Sequence, residues 1–452
     1  MNLTHEKVDE LISNKFEIDC IDISLFQQIE ENPLLYSGPG TIYQDENGVL
    51  NLKLYAKIKD IKKEISHIFK PFLPGKIIGD EHYFSLKAVD MSGSEWSAEN
   101  IWVSGNFYLP VAGRVIKSEL REIKNLTEIG GRIRSEKTFL FIVSPGNYQI
   151  PCNEKEDLPN GGWRLNRSIF SVDQIDLEFK KLDNYLTIKA STTSNELNEK
   201  SEMKLLEALS IICGQIVRPV IIDYSHGDTK TLKIKSVNVN FSNKQLPPPF
   251  NHSSPSDLES FAFFIGKYLS SIETPYSELF GFWHKLNRAW QASIENASLS
   301  LAVAIEGIIK SYFVEYGLPD QEILLQAQDA KQKIKDLGLG QRIKSRILSS
   351  IGQLKSTSPK GALYEMSDKG WFPRHFADEW VKLRNKSAHA DKIDEDPKTI
   401  QLYIDQIYTC LTLFYCLLFL SIKYEGNFID FSRDGWPENK FSLVKEDENK
   451  SA

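Results

Sequence analysis

Cysteine is scarce in this chain: five in 452 residues, Cys20, Cys152, Cys213, Cys410 and Cys416. No two of them make a C-x-x-C pair, so the spacing gives neither a zinc-ribbon nor a redox motif, and no disulfide framework. Excess positive charge is missing as well. The formal net charge is −7, which excludes a surface basic throughout and confines any nucleic-acid contact to a local patch. The opening stretch, MNLTHEKVDELISNKF, is charged and has no apolar core of signal-peptide type. Internal repeats, low-complexity tracts, a Walker lysine, a kinase motif set and a Ser/His/Asp arrangement are all absent. The Gly130-Gly131-Arg132-Ile133-Arg134 stretch lacks the spacing of a phosphate loop. The remaining composition is ordinary for a globular protein, 41% hydrophobic and 25% charged, and long enough for two or three domains. The expectation is a cytoplasmic protein with no metal and no cofactor.

One apolar run stands out. Ile407 to Ile422 reads IYTCLTLFYCLLFLSI, with Asp405 before it and Lys423 after it. It falls short of the roughly 20 residues a membrane span needs. The reading is a central helix buried in a bundle or at a dimer interface, with no membrane.

Taken in order, residues 1–30 read as one or two short amphipathic helices, and the pattern to about 190 is β. Asn47-Gly48 between two alternating runs, Gly40 to Leu54, is a strong hairpin signal. Further candidate strands are His82–Val89, Ile101–Leu109, Thr138–Val143 and Ile175–Ala190. A helix over Glu202–Ile212 and a hairpin across His226-Gly227-Asp228 follow. The prolines of Gln245–Pro255 mark a boundary, since they can neither continue a ladder nor sit inside a helix. Beyond it the periodicity predicts helices at Asp257–Ser271, Tyr276–Ala289, Ser293–Phe313, Gln321–Leu337, Gln341–Leu354, Phe376–Asn385 and Pro397–Tyr424. The fold class is therefore α+β and multidomain. A β-rich sandwich or barrel-like domain (1–244) leads through a linker (245–255) to an all-α bundle (256–430) and a solvated tail (431–452).

The chemistry concentrates in Leu383-Arg384-Asn385-Lys386-Ser387-Ala388-His389-Ala390-Asp391. Phe376, Trp380 and Leu383 recur at helical spacing upstream, and Asp378 and Glu379 suit a helix start. An arginine forks onto a phosphate and can hold the charge of a pentavalent phosphorus centre. A histidine moves protons near neutral pH. Together they suit metal-independent RNA cleavage by the neighbouring 2′-hydroxyl. Five positions on an unbroken helix turn the two side chains about 140° apart. They converge only if the helix ends or bends near Asn385, a natural capping residue, or if a second subunit brings its own copy opposite. Glu306, on a largely apolar helix, is either a carboxylate that orients Arg384 or His389, or a structural or solvated acid. Lys331, Lys333, Lys335, Arg342, Lys344, Arg346, Lys355 and Lys360 face a single acid, Asp336, over residues 331–360. The strip either tracks an RNA backbone or is the wet face of helices. Within it Arg346, beside the Ile343/Ile347 stripe, is expected to be held in place. His284 and His375 read as packing or surface residues.

The run LRNKSAHAD resembles the Arg-x4-6-His signature of the HEPN family. Leu301 to Ile309 resembles that family's first core helix, and Arg342 to Leu354 a middle one. The layout resembles the ApeA-like branch, a β-rich domain followed by a HEPN ribonuclease, over roughly residues 255–430. The resemblance implies an endoribonuclease with Arg384 and His389 catalytic, Asn385 supporting, and Glu306 second in rank. RNA would be bound through Arg342, Lys344, Arg346 and Lys386. It further implies a homodimer through the helical domain with two motifs facing one cleft. The β domain would sense a phage-derived or other trigger in a defence role. The alternative is a non-catalytic HEPN-like dimeric scaffold, with Arg384 and His389 paired to Glu306 or Asp391.

Overall fold

The structure, a computed structural model, describes residues 5–28, 33–57, 62, 65, 75–103, 113–128, 138–158, 161–193, 197–237, 245–252, 255–318, 321–353, 358–389 and 396–443. The chain divides into an N-terminal antiparallel β-rich unit (residues 1–202 and 217–241) and a C-terminal helical unit (203–216 and 242–452). Residues 203–216 thus cluster with the helices, although the sequence suggested a boundary only at the proline-rich stretch.

After α1 (His5–Ile12), the described residues of the first unit hold fourteen strands in one hydrogen-bonded sheet. β1 (Glu17–Gln27) pairs with β2 (Leu35–Gln44) and β4 (Tyr83–Asp90). α1 is one of the short helices expected within residues 1–30, whereas the strand over 17–27 corrects the helical expectation there. Ile18, Cys20, Ile23 and Leu25 are buried, and side chains that alternate in this way belong to a strand. A bulge between Cys20 and Ile23 interrupts both of its ladders. The Asn47-Gly48 hairpin joins β2 to β3 (Leu50–Ala56), with Gly48 at φ +79° and the Asp45 carboxylate accepting from the Asn47 and Val49 amides at 2.9 Å each. β5 (Glu95–Trp102) pairs with β4; of the expected strand Ile101–Leu109, residues 104–109 lie outside the described residues.

β6 (Arg114–Leu120) and β7 (Glu122–Glu128) are separated only by Arg121. β6 pairs with β3, while β7 pairs with β5. One bent segment therefore joins both ends of the series β3-β2-β1-β4-β5, and the hydrogen bonding returns to where it began. Bulges of the kind seen in β1 bend strands and allow such closure. Ile23, Leu25, Ile42, Leu52, Phe84 and Trp96 fill the shared core. From β7 the sheet continues through the hairpin β13 (Ile221–His226) and β14 (Thr229–Lys235) into a meander. That meander is β8 (Thr138–Pro145), β12 (Tyr185–Thr192), β11 (Ile175–Lys181), β10 (Trp163–Val172) and β9 (Glu154–Asp157).

α2 (Glu199–Cys213) is shared by the two units. The helical unit continues as α3 (Leu258–Ser271), α4 (Glu278–Ala292), α5 (Ile294–Tyr312), α6 (Gln321–Asp336), α7 (Gln341–Gln353), α8 (Pro359–Asp368), α9 (Arg374–His389) and α10 (Pro397–Ile422). Ser277 and Ser293 cap α4 and α5 by accepting from the Phe280 and Asn296 amides. α8, unforeseen, starts with Pro359 at its first turn and Ser358 as its cap, a common pairing at helix starts.

α10 is the centre of this unit. It is 26 residues long, close to the predicted Pro397–Tyr424, and by length and composition alone it could cross a membrane. Yet 78% of its apolar window is buried, with Leu411, Leu413, Phe414, Leu417 and Phe419 fully enclosed. Asp396 caps its start, and Lys423 ends it in the left-handed region at φ +57°.

The expected solvated tail, 431–452, is corrected over residues 431–443, and residues 444–452 lie outside the described residues. β15 (Gly426–Ile429) and β16 (Glu438–Phe441) form a hairpin whose Phe428 and Phe441 pack on Phe419, with ring centroids 5.8 and 5.4 Å away. Three aromatic side chains drive that closure, and the chain's charged end hid them. Phe441→Ala should therefore cost about 3 kcal/mol in urea unfolding; a solvated tail residue would cost less than about 0.5 kcal/mol.

Candidate functional site

α9 is seated by one face. Phe376, Ala377, Trp380 and Leu383 are buried, and α9 packs against both α5 and α10. The Trp380 indole N–H donates to the Ala302 carbonyl of α5 at 3.1 Å, which sets the rotation of α9 about its axis. On the α10 side, the Gln406 amide donates to the Glu379 carboxylate at 2.9 Å and to its carbonyl at 3.2 Å. The Tyr403 hydroxyl donates to Ser298 at 2.5 Å, tying α10 to α5.

That seating brings Arg384 to Glu306. Arg384 Nε donates to Glu306 Oε2 at 2.8 Å, and Lys310 Nζ reaches Glu306 Oε1 at 2.7 Å. The Arg384 side chain is half exposed and Glu306 is 21% exposed. Burial alone would raise the Glu306 pKa, but the hydrogen bonds and charges of Lys310 and Arg384 outweigh it and hold the carboxyl below its usual range. The guanidinium also lies 5.9 Å from the Trp380 ring. Only Nε is engaged. Among the described residues, neither Nη group of Arg384 makes a hydrogen bond, so the two-nitrogen fork stays available to an anion.

Two expectations about α9 are corrected. The helix starts at Arg374, so Asp378 and Glu379 lie beyond its first turn, which holds no acid. Asp378 instead accepts from the Tyr364 hydroxyl at 2.7 Å. Nor does the helix loosen at Asn385: it continues to His389, and Asn385 is an exposed mid-helix residue. Position 389 is then turned about 140° from position 384 and raised about 7.5 Å along the axis. The His389 side chain lies outside the described residues, as do Asp391 and Lys355.

Lys386 Nζ lies 5.5 Å from the Tyr403 ring, on the same exposed end of α9. The basic strip is elsewhere. Arg342, Lys344 and Arg346 sit on α7, and Lys331, Lys333 and Lys335 on α6, two helices that pack chiefly on each other. The strip is solvated, with Lys333 paired to Asp329 at 2.6 Å. Arg346 is exposed beside an exposed Ile343 and is not held in place as expected. Among the described residues no three His, Cys, Asp or Glu side chains gather as a metal-ligand set.

Sequence reasoning missed Lys310, Tyr403, Ser298 and Gln406. Lys310 was findable, since it follows Glu306 at i+4 on one helix. The cross-helix bonds of Ser298, Tyr403 and Gln406 had no local signal. No family model, no curated protein and no solved structure matches the chain.

Because the folded-state pKa of Glu306 is depressed, the stability this carboxylate contributes is present above the ordinary glutamate range and is lost on acidification. Glu306→Gln should cost about 1 kcal/mol at neutral pH. Unfolding measured across pH should show that difference shrinking below about pH 4. A cost independent of pH would mean the charge of Glu306 contributes nothing.

Proposed function

We propose that the protein is a HEPN-type endoribonuclease that cleaves RNA without metal, leaving a 2′,3′-cyclic phosphate and a 5′-hydroxyl. The observation that carries the reading is the state of Arg384: its Nε is held by Glu306, its side chain is half exposed, and among the described residues its Nη groups make no hydrogen bond. A preoriented fork suits the charge that builds on a phosphorane in the transition state.

In the reaction, the 2′-oxygen attacks phosphorus and loses its proton to a general base, and the 5′-oxygen leaves with a proton from a general acid. His389 takes one of these roles and Arg384 Nη1 and Nη2 hold the equatorial oxygens. Asn385 and Lys386, exposed on the same helix end, contact flanking phosphates. The continuous helix turns position 389 away from position 384, so the groups that meet at one phosphate come from two copies of the chain. The functional unit is thus a homodimer through the helical unit, with Arg342, Lys344 and Arg346 binding RNA further out. The β-rich unit would sense a trigger, such as a phage-derived ligand, in a defence role; that part rests on family resemblance alone.

The Glu306–Arg384 pair also favours a second reading, a scaffold in which Arg384 merely ties α9 to α5. The two readings separate in one assay. Wild type, Arg384→Ala and His389→Ala are incubated with total RNA in EDTA and the new 5′-hydroxyl ends are mapped. Each substitution should reduce cleavage at least about 100-fold. Cleavage by His389→Ala equal to that of wild type, or cleavage that requires a divalent metal, would overturn the proposal.

A further inference from the structure

A concavity of about 700 Å3 lies at the opposite end of α9, within the helical unit. Arg374 and Arg384 are ten positions apart, about 15 Å along the helix, so this cleft is distinct from the Arg384 site and does not depend on the ribonuclease reading. Its volume falls within the roughly 300–1,000 Å3 of small-molecule sites.

The floor is aromatic. Phe376 of α9, Phe428 of β15 and Phe441 of β16 line it and are each nearly buried. The rim carries three fixed cations, Arg374, Arg433 and Lys440, together with His375. Two carboxylates oppose them, and both are already engaged. Asp368 accepts from Arg374 at 2.7 Å, and Asp430 accepts from Arg433 at 3.2 Å and from the Ser432 hydroxyl at 2.5 Å. Lys440 Nζ and the His375 ring have no hydrogen bond or ion pair among the described residues; the His375 ring rests edge-on against Phe376 at 4.7 Å. With Arg374 and Arg433 each paired to a carboxylate, Lys440 is the fixed cation of the rim that has no ion pair among the described residues, and it stands above an apolar floor. An unpaired ammonium at the rim of a concavity attracts an anion. An aromatic floor beneath it favours a ligand with a flat face.

We propose that this cleft binds a phosphorylated nucleoside, with the phosphate on Lys440, Arg374 and His375 and the base over the Phe376, Phe428 and Phe441 floor. Asn439 and Ser442, also on the lining, supply polar groups for the sugar or the base edge. Cation, aromatic and amide groups come from two elements, the start of α9 and the C-terminal hairpin, so ligand would also clamp the hairpin to the helix.

The test is isothermal titration of the full-length protein with AMP, GMP, CMP and UMP in turn. The corresponding nucleosides and inorganic phosphate serve as controls, and Lys440→Glu as the variant. Lys440 is exposed, and a thermal melt equal to that of wild type would establish that the variant is folded. At least one mononucleotide should bind saturably, about tenfold or more tighter than its nucleoside and than phosphate, and Lys440→Glu should weaken it about tenfold or more. The proposal is overturned if no mononucleotide binds, if phosphate alone binds as tightly as the nucleotide, or if Lys440→Glu binds as wild type does.

Discussion

The helical unit depends on how α9 is seated. Phe376, Ala377, Trp380 and Leu383 bury one stripe of it, and the bond from Trp380 to Ala302 fixes its rotation. Everything exposed on α9 follows from that rotation. It sends Arg384 towards Glu306 with its side chain half exposed. A quarter-turn of the helix would bury Arg384 or remove it from its carboxylate partner. The apolar stripe thus positions the polar chemistry, and the ion pair only refines it. An exposed pair of this kind is worth too little to orient a helix by itself.

The β-rich unit solves a different problem. A long antiparallel sheet has edges that invite unwanted pairing. Here the segment 114–128, bent at Arg121, supplies both the partner of β3 and the partner of β5. One closed series of strands results, and its core is continuous. The strand β9, at one end of the sheet order, is short and charged, with the sequence EKED. Short charged edges are a common defence against strand addition.

Much of this was legible in the sequence because the signals were local. Asn47-Gly48 encodes its turn, the prolines after Gln245 mark a break, and the periodicity of α3, α4, α5 and α10 gave helices within a few residues of their true ends. The failures have physical causes. β1 begins only five residues after α1, and a helical start coloured the reading of the strand. α8 is ten residues long and has little periodicity to detect. The C-terminal hairpin was masked by charged residues between Phe428, Phe431 and Phe441. At the site, Arg384 and Glu306 were both named from residue type and setting. Their 2.8 Å contact spans 78 positions and depends on how helices pack, which no local pattern encodes. The continuation of α9 past Asn385 mattered most, because it turns a compact motif in sequence into two positions facing different ways.

That geometry makes the sharing of one site by two chains the central claim, and mixed dimers test it most directly. Arg384→Ala and His389→Ala chains carrying different tags would be co-expressed, purified through both tags and assayed on RNA in EDTA. The account predicts that the mixed dimer recovers cleavage with the same 5′-hydroxyl ends, while each variant alone stays inactive, since one intact arginine and one intact histidine can still meet across the interface. An inactive mixed dimer, beside an active doubly tagged wild type, would contradict it.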